Sequence, residues 1–328
     1  MNKVLSVSYI PPEVVSKFNG VLDIDSPTLE KWVYTPEEVQ AKVGSVDAYM
    51  GPANKEMIDK ISENVKIIGT ASAGFDHIDH RYAGEKGISV TNAPQATTEV
   101  TAELAITLLL CVARRIPNYM KYMTKIGKCA PPSPYKPSID NAAIPTTPYG
   151  KVLGIVGFGK IGKAVARKAQ GLGMSVIYYD IYRASADVEK DMNVKYVEFD
   201  ELLKTSDYVT LHCMYLPELH HMMNAEKFAL MKKDAYFINA ARGPLMDEKA
   251  LIEALKNKTI RGAGLDVFEL EPVVSPELFE MDEVVITPHV GTLTYENRAQ
   301  MVTDCLSAIV DFFAGKDVAT VVNKEYLK

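Results

Sequence analysis

The chain has 328 residues, 47% of them apolar and 24% charged, with a formal net charge of −6. At about 150 residues per domain this is enough for roughly two domains with full cores, and it excludes a disordered chain. The acid excess gives no global field for nucleic acid or anionic lipid, so neither is an expected partner and an anionic ligand needs a local cation.

In chain order, β-branched apolar runs mark strands at Val4–Tyr9, Val46–Met50, Val65–Ala71 and Ile88–Thr91, with a helix over Asn54–Glu63. A long apolar helix is expected from Thr98 to about Ile116, without a strand partner. Its Ala102–Ala113 run suits burial, or an oligomer interface. Six prolines follow between Cys129 and Tyr149, which rules out helix and central strand and leaves a long loop or arm. Strands resume at Val152–Val156, Ser175–Tyr179, Tyr208–His212, Tyr236–Asn239, Gly262–Asp266 and Val284–Thr287. Helices are expected at Lys160–Leu172, Glu201–Thr205, Ala225–Met231 and Asp247–Asn257, and a last one over Thr294–Gly315. This βαβα alternation implies an α/β fold with parallel sheets covered by helices on both faces. The four cysteines, Cys111, Cys129, Cys213 and Cys305, match no disulfide or zinc spacing. With no apolar signal core and no run of about 18 apolar residues, a cytoplasmic protein with reduced thiols and no membrane span is expected.

The strongest local signal is Gly157-Phe158-Gly159-Lys160-Ile161-Gly162, a G-x-G-x-x-G between a strand and a helix. Gly157 permits the tight turn, Gly159 lets backbone approach a pyrophosphate, and Gly162 lets the helix pack on the strand. The helix N-terminus then offers free N–H groups to the phosphates. The next strand ends in Asp180, eighteen residues after Gly162, where an acid binds ribose hydroxyls. A carboxylate there repels a 2′-phosphate, so NAD is favoured over NADP, although Arg183 could soften that choice.

At this point the chain resembles the D-isomer-specific 2-hydroxyacid dehydrogenases. The resemblance rests on the glycine loop, Asn239-Ala-Ala-Arg242-Gly243-Pro, Gly264-Leu-Asp266-Val-Phe-Glu269-Leu-Glu271-Pro272 and Thr287-Pro288-His289-Val-Gly291. It covers nearly the whole length. It implies two Rossmann-like domains: a discontinuous substrate domain, residues 1–100 and 296–328, and an inserted NAD-binding domain, residues 101–295. The active site would lie in a cleft closed by hinge motion, and the Thr98–Ile116 helix would support a homodimer. It further implies reversible reduction of a small 2-oxo acid to the D-2-hydroxy acid with NADH.

Arg242 follows a strand-like run, where ligand crevices form in open α/β sheets, and its guanidinium suits a carboxylate or polarised carbonyl. His289 also stands at a strand end and can exchange a proton with the substrate oxygen. Glu271 would hold the ring. Glu269 competes for that task, but the resemblance places the acid just before the proline. By the same carry-over Asp266 contacts the nicotinamide carboxamide. Thr101, Lys160, Ile161, His212, Ala241 and Gly291 add cofactor contacts. Backbone N–H groups at Ala73 and Gly74 receive the substrate carboxylate. Formate dehydrogenases of this family carry Gln at the Glu271 position and phosphite dehydrogenases carry Lys at the Ala73 position, which argues against both substrates.

There are departures from the family pattern. The usual H-x-P-L-T reads His212-Cys213-Met214-Tyr215-Leu216 here. Trp32 is the only tryptophan, and the proline-rich arm carries Tyr135 and Tyr149 instead of the family's tryptophans. The arm is therefore either a wall of a roomier pocket for apolar or aromatic 2-oxo acids or only a dimer strap. Asp76-His77-Ile-Asp79-His80 has metal-like spacing but reads as an exposed helix start, and His220-His221 as solvated loop; no metal is expected. Lys163, Arg167 and Lys168 read as a solvated helix face. The competing function is a dinucleotide-sensing, corepressor-like binding protein on the same fold. A third, an S-adenosyl-dependent enzyme, is disfavoured by the later motifs.

Overall fold

The computed structural model describes residues 1–61, 64–127 and 144–327. Cys129, Tyr135 and most of the proline-rich arm lie outside the described residues, as does the expected end of the Asn54–Glu63 helix. The chain divides into two compact units, Met1–Val100 with Thr292–Lys328, and Thr101–Gly291.

The first unit is built on five strands: β1 (Asn2–Ser6), β2 (Leu22–Asp25), β3 (Ala48–Met50), β4 (Ile67–Gly69) and β5 (Ser89–Thr91). They pair in parallel in the order β2-β1-β3-β4-β5. The final helix, Tyr295–Phe313, packs on β4 so tightly that a Cβ at Gly69 would lie 2.5 Å from Cys305 Sγ. Thr294 caps this helix through its side chain. Buried Asn323 then ties the C-terminal segment down, accepting from Val90 N–H at 2.8 Å and donating to Ile88 O at 3.0 Å.

The second unit holds seven strands: β6 (Val152–Val156), β7 (Ser175–Tyr179), β8 (Val194–Tyr196), β9 (Tyr208–Leu211), β10 (Tyr236–Asn239), β11 (Gly262–Leu265) and β12 (Val284–Ile286). All pairings are parallel, in the order β12-β11-β10-β9-β6-β7-β8. Alternate residues feed opposite faces. Ile155 and Ile238 enter one core with the Thr97–Arg114 and Lys160–Gly171 helices, while Val156 and Phe237 enter the other. The fold is thus α/β with two parallel, Rossmann-like sheets.

The long helix runs Thr97–Arg114, close to its expected bounds, and a second helix that the sequence did not suggest follows from Ile116 to Ile126. Arg115 between them is left-handed at φ 53° and Pro117 has no N–H to continue the ladder, so the chain turns there. No helix among the described residues is long and apolar enough to cross a membrane.

Candidate active site

The glycine loop closes the gap between β6 and the Lys160–Gly171 helix. Gly157 is left-handed at φ 94°, and a Cβ on it would lie 2.5 Å from Cys213 N. A Cβ on Gly162 would sit 2.2 Å from Gly157 O. Gly159 is different. It is extended at φ −73°, ψ −158°, as the N-cap of the helix, and nothing lies within 4 Å of where its Cβ would be. Two glycines are therefore required by the protein's own packing, while the third leaves an open cradle against the helix N-terminus. That cradle, with the orphan N–H groups behind it, fits a pyrophosphate.

Asp180 follows β7. Its Oδ2 accepts from Phe158 N–H at 2.6 Å, so the carboxylate is fixed beside the loop, and Oδ1 accepts from Tyr182 N–H at 2.9 Å. Arg183 is engaged elsewhere, in a fork to Glu189 at 2.8 and 2.9 Å. That fork and the Tyr178 hydroxyl push the Glu189 carboxyl down to about 2. Across the switch point, the backbone of His212 and Cys213 abuts Gly157. The His212 ring bonds Thr210 Oγ1 at 2.9 Å through Nε2. Its Nδ1 is buried without a hydrogen-bond partner, and burial pushes its pKa down to about 3.

The loops after β10, β11 and β12 converge on a cavity of about 380 Å³, lined by Arg242, Gly243, Pro244, Phe268, Glu269, Leu270, Glu271 and His289. Asn239 shapes the first loop. Its Oδ1 accepts from Ala241 N–H at 3.0 Å and its Nδ2 donates to Arg242 O at 3.0 Å. Arg242 is extended, and its Nη1 donates to Ala241 O at 2.6 Å. Gly243 rests on the next loop so closely that a Cβ would fall 1.7 Å from Phe268 O.

Glu271, not Glu269, meets the histidine: Glu271 Oε2 lies 2.7 Å from His289 Nδ1. Its other oxygen accepts from Phe268 N–H at 3.0 Å. His289 stands in the left-handed region at φ 53°. Asp266 holds that backbone. Oδ1 accepts from Thr287 Oγ1 at 2.6 Å and Val290 N–H at 2.8 Å, Oδ2 accepts from Gly291 N–H at 2.8 Å, and the carbonyl accepts from His289 N–H at 2.8 Å. Burial raises the Asp266 carboxyl, and these bonds offset only part of that. Thr101 is buried nearby: a Cβ on Gly291 would sit 3.1 Å from Asp266 Oδ2 and 3.8 Å from Thr101 Cγ2.

Ala73 and Gly74 belong to the first unit, in the loop after β4. Asn92 Nδ2 donates to Ala73 O and Ser72 Oγ to Gly74 O, each at 2.6 Å. In the same loop His77 Nε2 lies 2.9 Å from Thr70 Oγ1, and Asp79 caps the following helix.

His220 is exposed, as a solvated loop requires, but the reading of His221 needs correction. His221 is part-buried and its Nε2 lies 2.8 Å from Glu269 Oε1, because its left-handed backbone (φ 55°) and its N–H bond to Pro244 O turn the ring inward. Among the described residues, His220, His221 and Glu269 are the group whose donor atoms lie within 4.8 Å of one another. Burial raises the thiol of each described cysteine, Cys111, Cys213 (up to about 11) and Cys305 (up to about 12), which disfavours the thiolate.

Several working residues escaped the sequence reading. Asn239 carried a usable signal, being an Asn two residues before a turn N–H. Thr287, Glu248 and the Glu269–His221 pair did not, since their partners are distant in sequence.

Known proteins resemble this chain over most of its length. The family model for the D-isomer specific 2-hydroxyacid dehydrogenase NAD-binding domain matches residues 106–291. A protein of Staphylococcus saprophyticus assigned to the 2-hydroxyacid dehydrogenases is 41% identical over 288 residues, 88% of this chain and 86% of the relative. Among solved structures, a glyoxylate reductase from Paecilomyces thermophila superposes with a TM-score of 0.84 at 28% identity, covering 99% of both chains. The apo D-mandelate dehydrogenase of Rhodotorula graminis gives 0.83 at 30% identity, covering 98% of both.

Proposed function

Because this chain belongs to the D-isomer specific 2-hydroxyacid dehydrogenase family, we propose that it reduces a small 2-oxo acid to the D-2-hydroxy acid with NADH, reversibly. The observation that carries the reading is one cavity that gathers Arg242, His289 and Glu271 on the strand-end edge that also bears the glycine loop.

NADH, when bound, supplies the hydride for C2 of the substrate. The glycine loop and the N-terminus of the Lys160–Gly171 helix seat its pyrophosphate, with Gly159 giving the clearance. Asp180 takes the ribose hydroxyls, and commitment of Arg183 to Glu189 leaves the neighbourhood of the ribose acidic, which favours NAD over NADP. Thr101, Lys160, Ile161, Ala241 and Gly291 line the same reading, and Asp266 acts mainly by shaping the His289 loop.

Arg242 binds the substrate's carboxylate and polarises its carbonyl oxygen. As C2 gains the hydride, the carbonyl π pair moves onto oxygen. His289 gives that oxygen the proton from Nε2 and recovers it in the reverse direction. Glu271 orients the ring through Nδ1 and balances its charge. A homodimer belongs to the same reading, supported by Met120 and Met123, exposed on the helix after the long apolar one.

The test follows NADH oxidation against glyoxylate, pyruvate, phenylpyruvate and benzoylformate, with NADPH in parallel and the product's handedness determined. D-products with NADH are expected. NADH binding without turnover of any member overturns the reductase reading in favour of a dinucleotide sensor. Glyoxylate preferred over phenylpyruvate in kcat/KM sinks the roomy-pocket version.

A further inference from the structure

Glu269 has no part in the proposed chemistry, yet both of its carboxylate oxygens are in use. Oε1 lies 2.8 Å from His221 Nε2, and Oε2 accepts from Glu248 N–H at 3.0 Å. Glu248 returns the bond: its Oε2 accepts from Glu269 N–H at 3.1 Å and its Oε1 from Ser275 N–H at 3.0 Å. Only 4% of Glu248 is exposed. The two acids thus brace the start of the Glu248–Lys256 helix against both ends of the turn from residue 269 to 275, and Glu271 lies inside that turn.

A cation held by His220, His221 and Glu269 fits poorly. The two rings stack with centroids 3.8 Å apart and planes 22° apart, so their lone pairs lie in two separate, nearly parallel planes that disfavour convergence on one ion. Glu269 Oε1 is already bonded to His221.

The brace matters because the pair it serves is exposed. The side chains of His289 and Glu271 are 50% and 36% accessible. An ion pair in such surroundings contributes too little to fix a geometry by itself. A neutral imidazole carries one N–H, and a carboxylate can only accept. A fixed Glu271 therefore keeps that proton on Nδ1 and turns Nε2 toward the cavity.

We infer that Glu269, held by His221 and Glu248, is a positioning residue that fixes the Glu271 carboxylate on His289 and so sets the tautomer of that ring. Its effect on rate rests on the reductase reading above; its effect on the tautomer does not.

Glu269→Ala and Glu269→Gln are made in the wild-type and His289→Ala backgrounds. Nitrogen-15 NMR of the His289 ring reports the tautomer, and kcat and NADH affinity are measured beside it. Glu269→Ala is expected to shift the ring from the Nδ1–H form toward a mixture. It should lower kcat by about 10- to 100-fold, the scale of an ångström-sized misplacement, with NADH affinity unchanged. Glu269→Gln keeps an acceptor for Glu248 N–H and recovers most of the loss. In the His289→Ala background Glu269→Ala adds nothing. A wild-type tautomer in Glu269→Ala, or an undiminished loss on top of His289→Ala, overturns the inference. If the wild-type protein turns over no 2-oxo acid, the reductase reading fails, and the tautomer still decides the brace. Should Glu269→Ala not fold, His221→Phe removes only the Nε2 bond and is read the same way.

Discussion

Alanine at Gly159 separates cofactor binding from folding more cleanly than any other change in the glycine loop. Nothing lies within 4 Å of the added Cβ, and φ of −73° suits any residue. Losing glycine at an N-cap costs several tenths to about 1 kcal/mol, while a less flexible unfolded chain returns about 0.4–1 kcal/mol. Stability should therefore stay nearly level, within about 2–4 °C in Tm. The same methyl would project into the open cradle where the loop's N–H groups would face a phosphate. Loss of one charge-assisted hydrogen bond, about 1.5–3 kcal/mol, weakens NADH about 10- to 100-fold. Gly162→Ala is the control, because its Cβ would be 2.2 Å from Gly157 O. It should cost about 1–3 kcal/mol of stability as overpacking. The assay is NADH titration by fluorescence beside a thermal melt of each variant. A Gly159→Ala protein that binds NADH as the wild type does, or that melts as low as Gly162→Ala, refutes the assignment of the cradle.

His289→Ala should lower kcat by about 10²–10⁴ and leave NADH affinity within about twofold, as expected for a lost proton donor; near-normal turnover would exclude that role. Asp180→Ala should raise the NADPH-to-NADH ratio of kcat/KM by about tenfold, an energy of about 1.4 kcal/mol; an unchanged ratio would separate Asp180 from specificity. His212 gives a pH prediction. Its folded pKa, about 3, lies below the ordinary 6.5, so the unfolded chain binds the extra proton first. Its stabilisation is thus complete above the ordinary value and is lost as pH falls toward the folded one, by at most about 1.4 kcal/mol per pH unit. Denaturant unfolding from about pH 6 to about pH 4 should show a shallower decline in His212→Asn than in wild type, and parallel declines would refute it.

Much of this was legible because parallel strands buried on both faces are continuous apolar runs. β6, β9 and β10 read directly from Val-Leu-Gly-Ile-Val, Tyr-Val-Thr-Leu and Tyr-Phe-Ile-Asn. The two strands that were missed are edges. β2 carries Asp23 and Asp25 and β8 carries Lys195, charges that blunt an exposed edge and also erase the apolar pattern. The Ile116–Ile126 helix was missed because the turn that separates it from the long helix is made by an arginine in the left-handed region, which leaves no compositional mark, unlike glycine. In the site, Arg242, Glu271 and His289 came from motifs. The Glu248–Glu269–His221 brace did not, because its bonds join residues 21 and 48 positions apart, and no periodicity encodes such contacts.

The order of these groups in space follows from topology. Along the sequence the glycine loop comes before Asp180, yet across the sheet the order is β7, β6, β9, β10, β11, β12. The strand-end edge therefore reads Asp180, glycine loop, His212, Arg242, Asp266, His289. The reversal falls between β6 and β9, the switch point at which two loops diverge and open a crevice. Five steps of about 4.8 Å separate β7 from β12, about 24 Å in all. Asp180 and His289 thus stand on opposite sides of the glycine loop. On the proposed function, a dinucleotide seated there by its pyrophosphate would have one productive direction: adenosine toward β7, nicotinamide toward β10 to β12. The reversed direction would put the reacting ring beside Asp180 and the Arg183–Glu189 pair, away from Arg242 and His289. On the proposed function, a protein of net charge −6 needs no global field for an anionic substrate, because the sheet carries the Arg242 cation to the β10 end of the crevice.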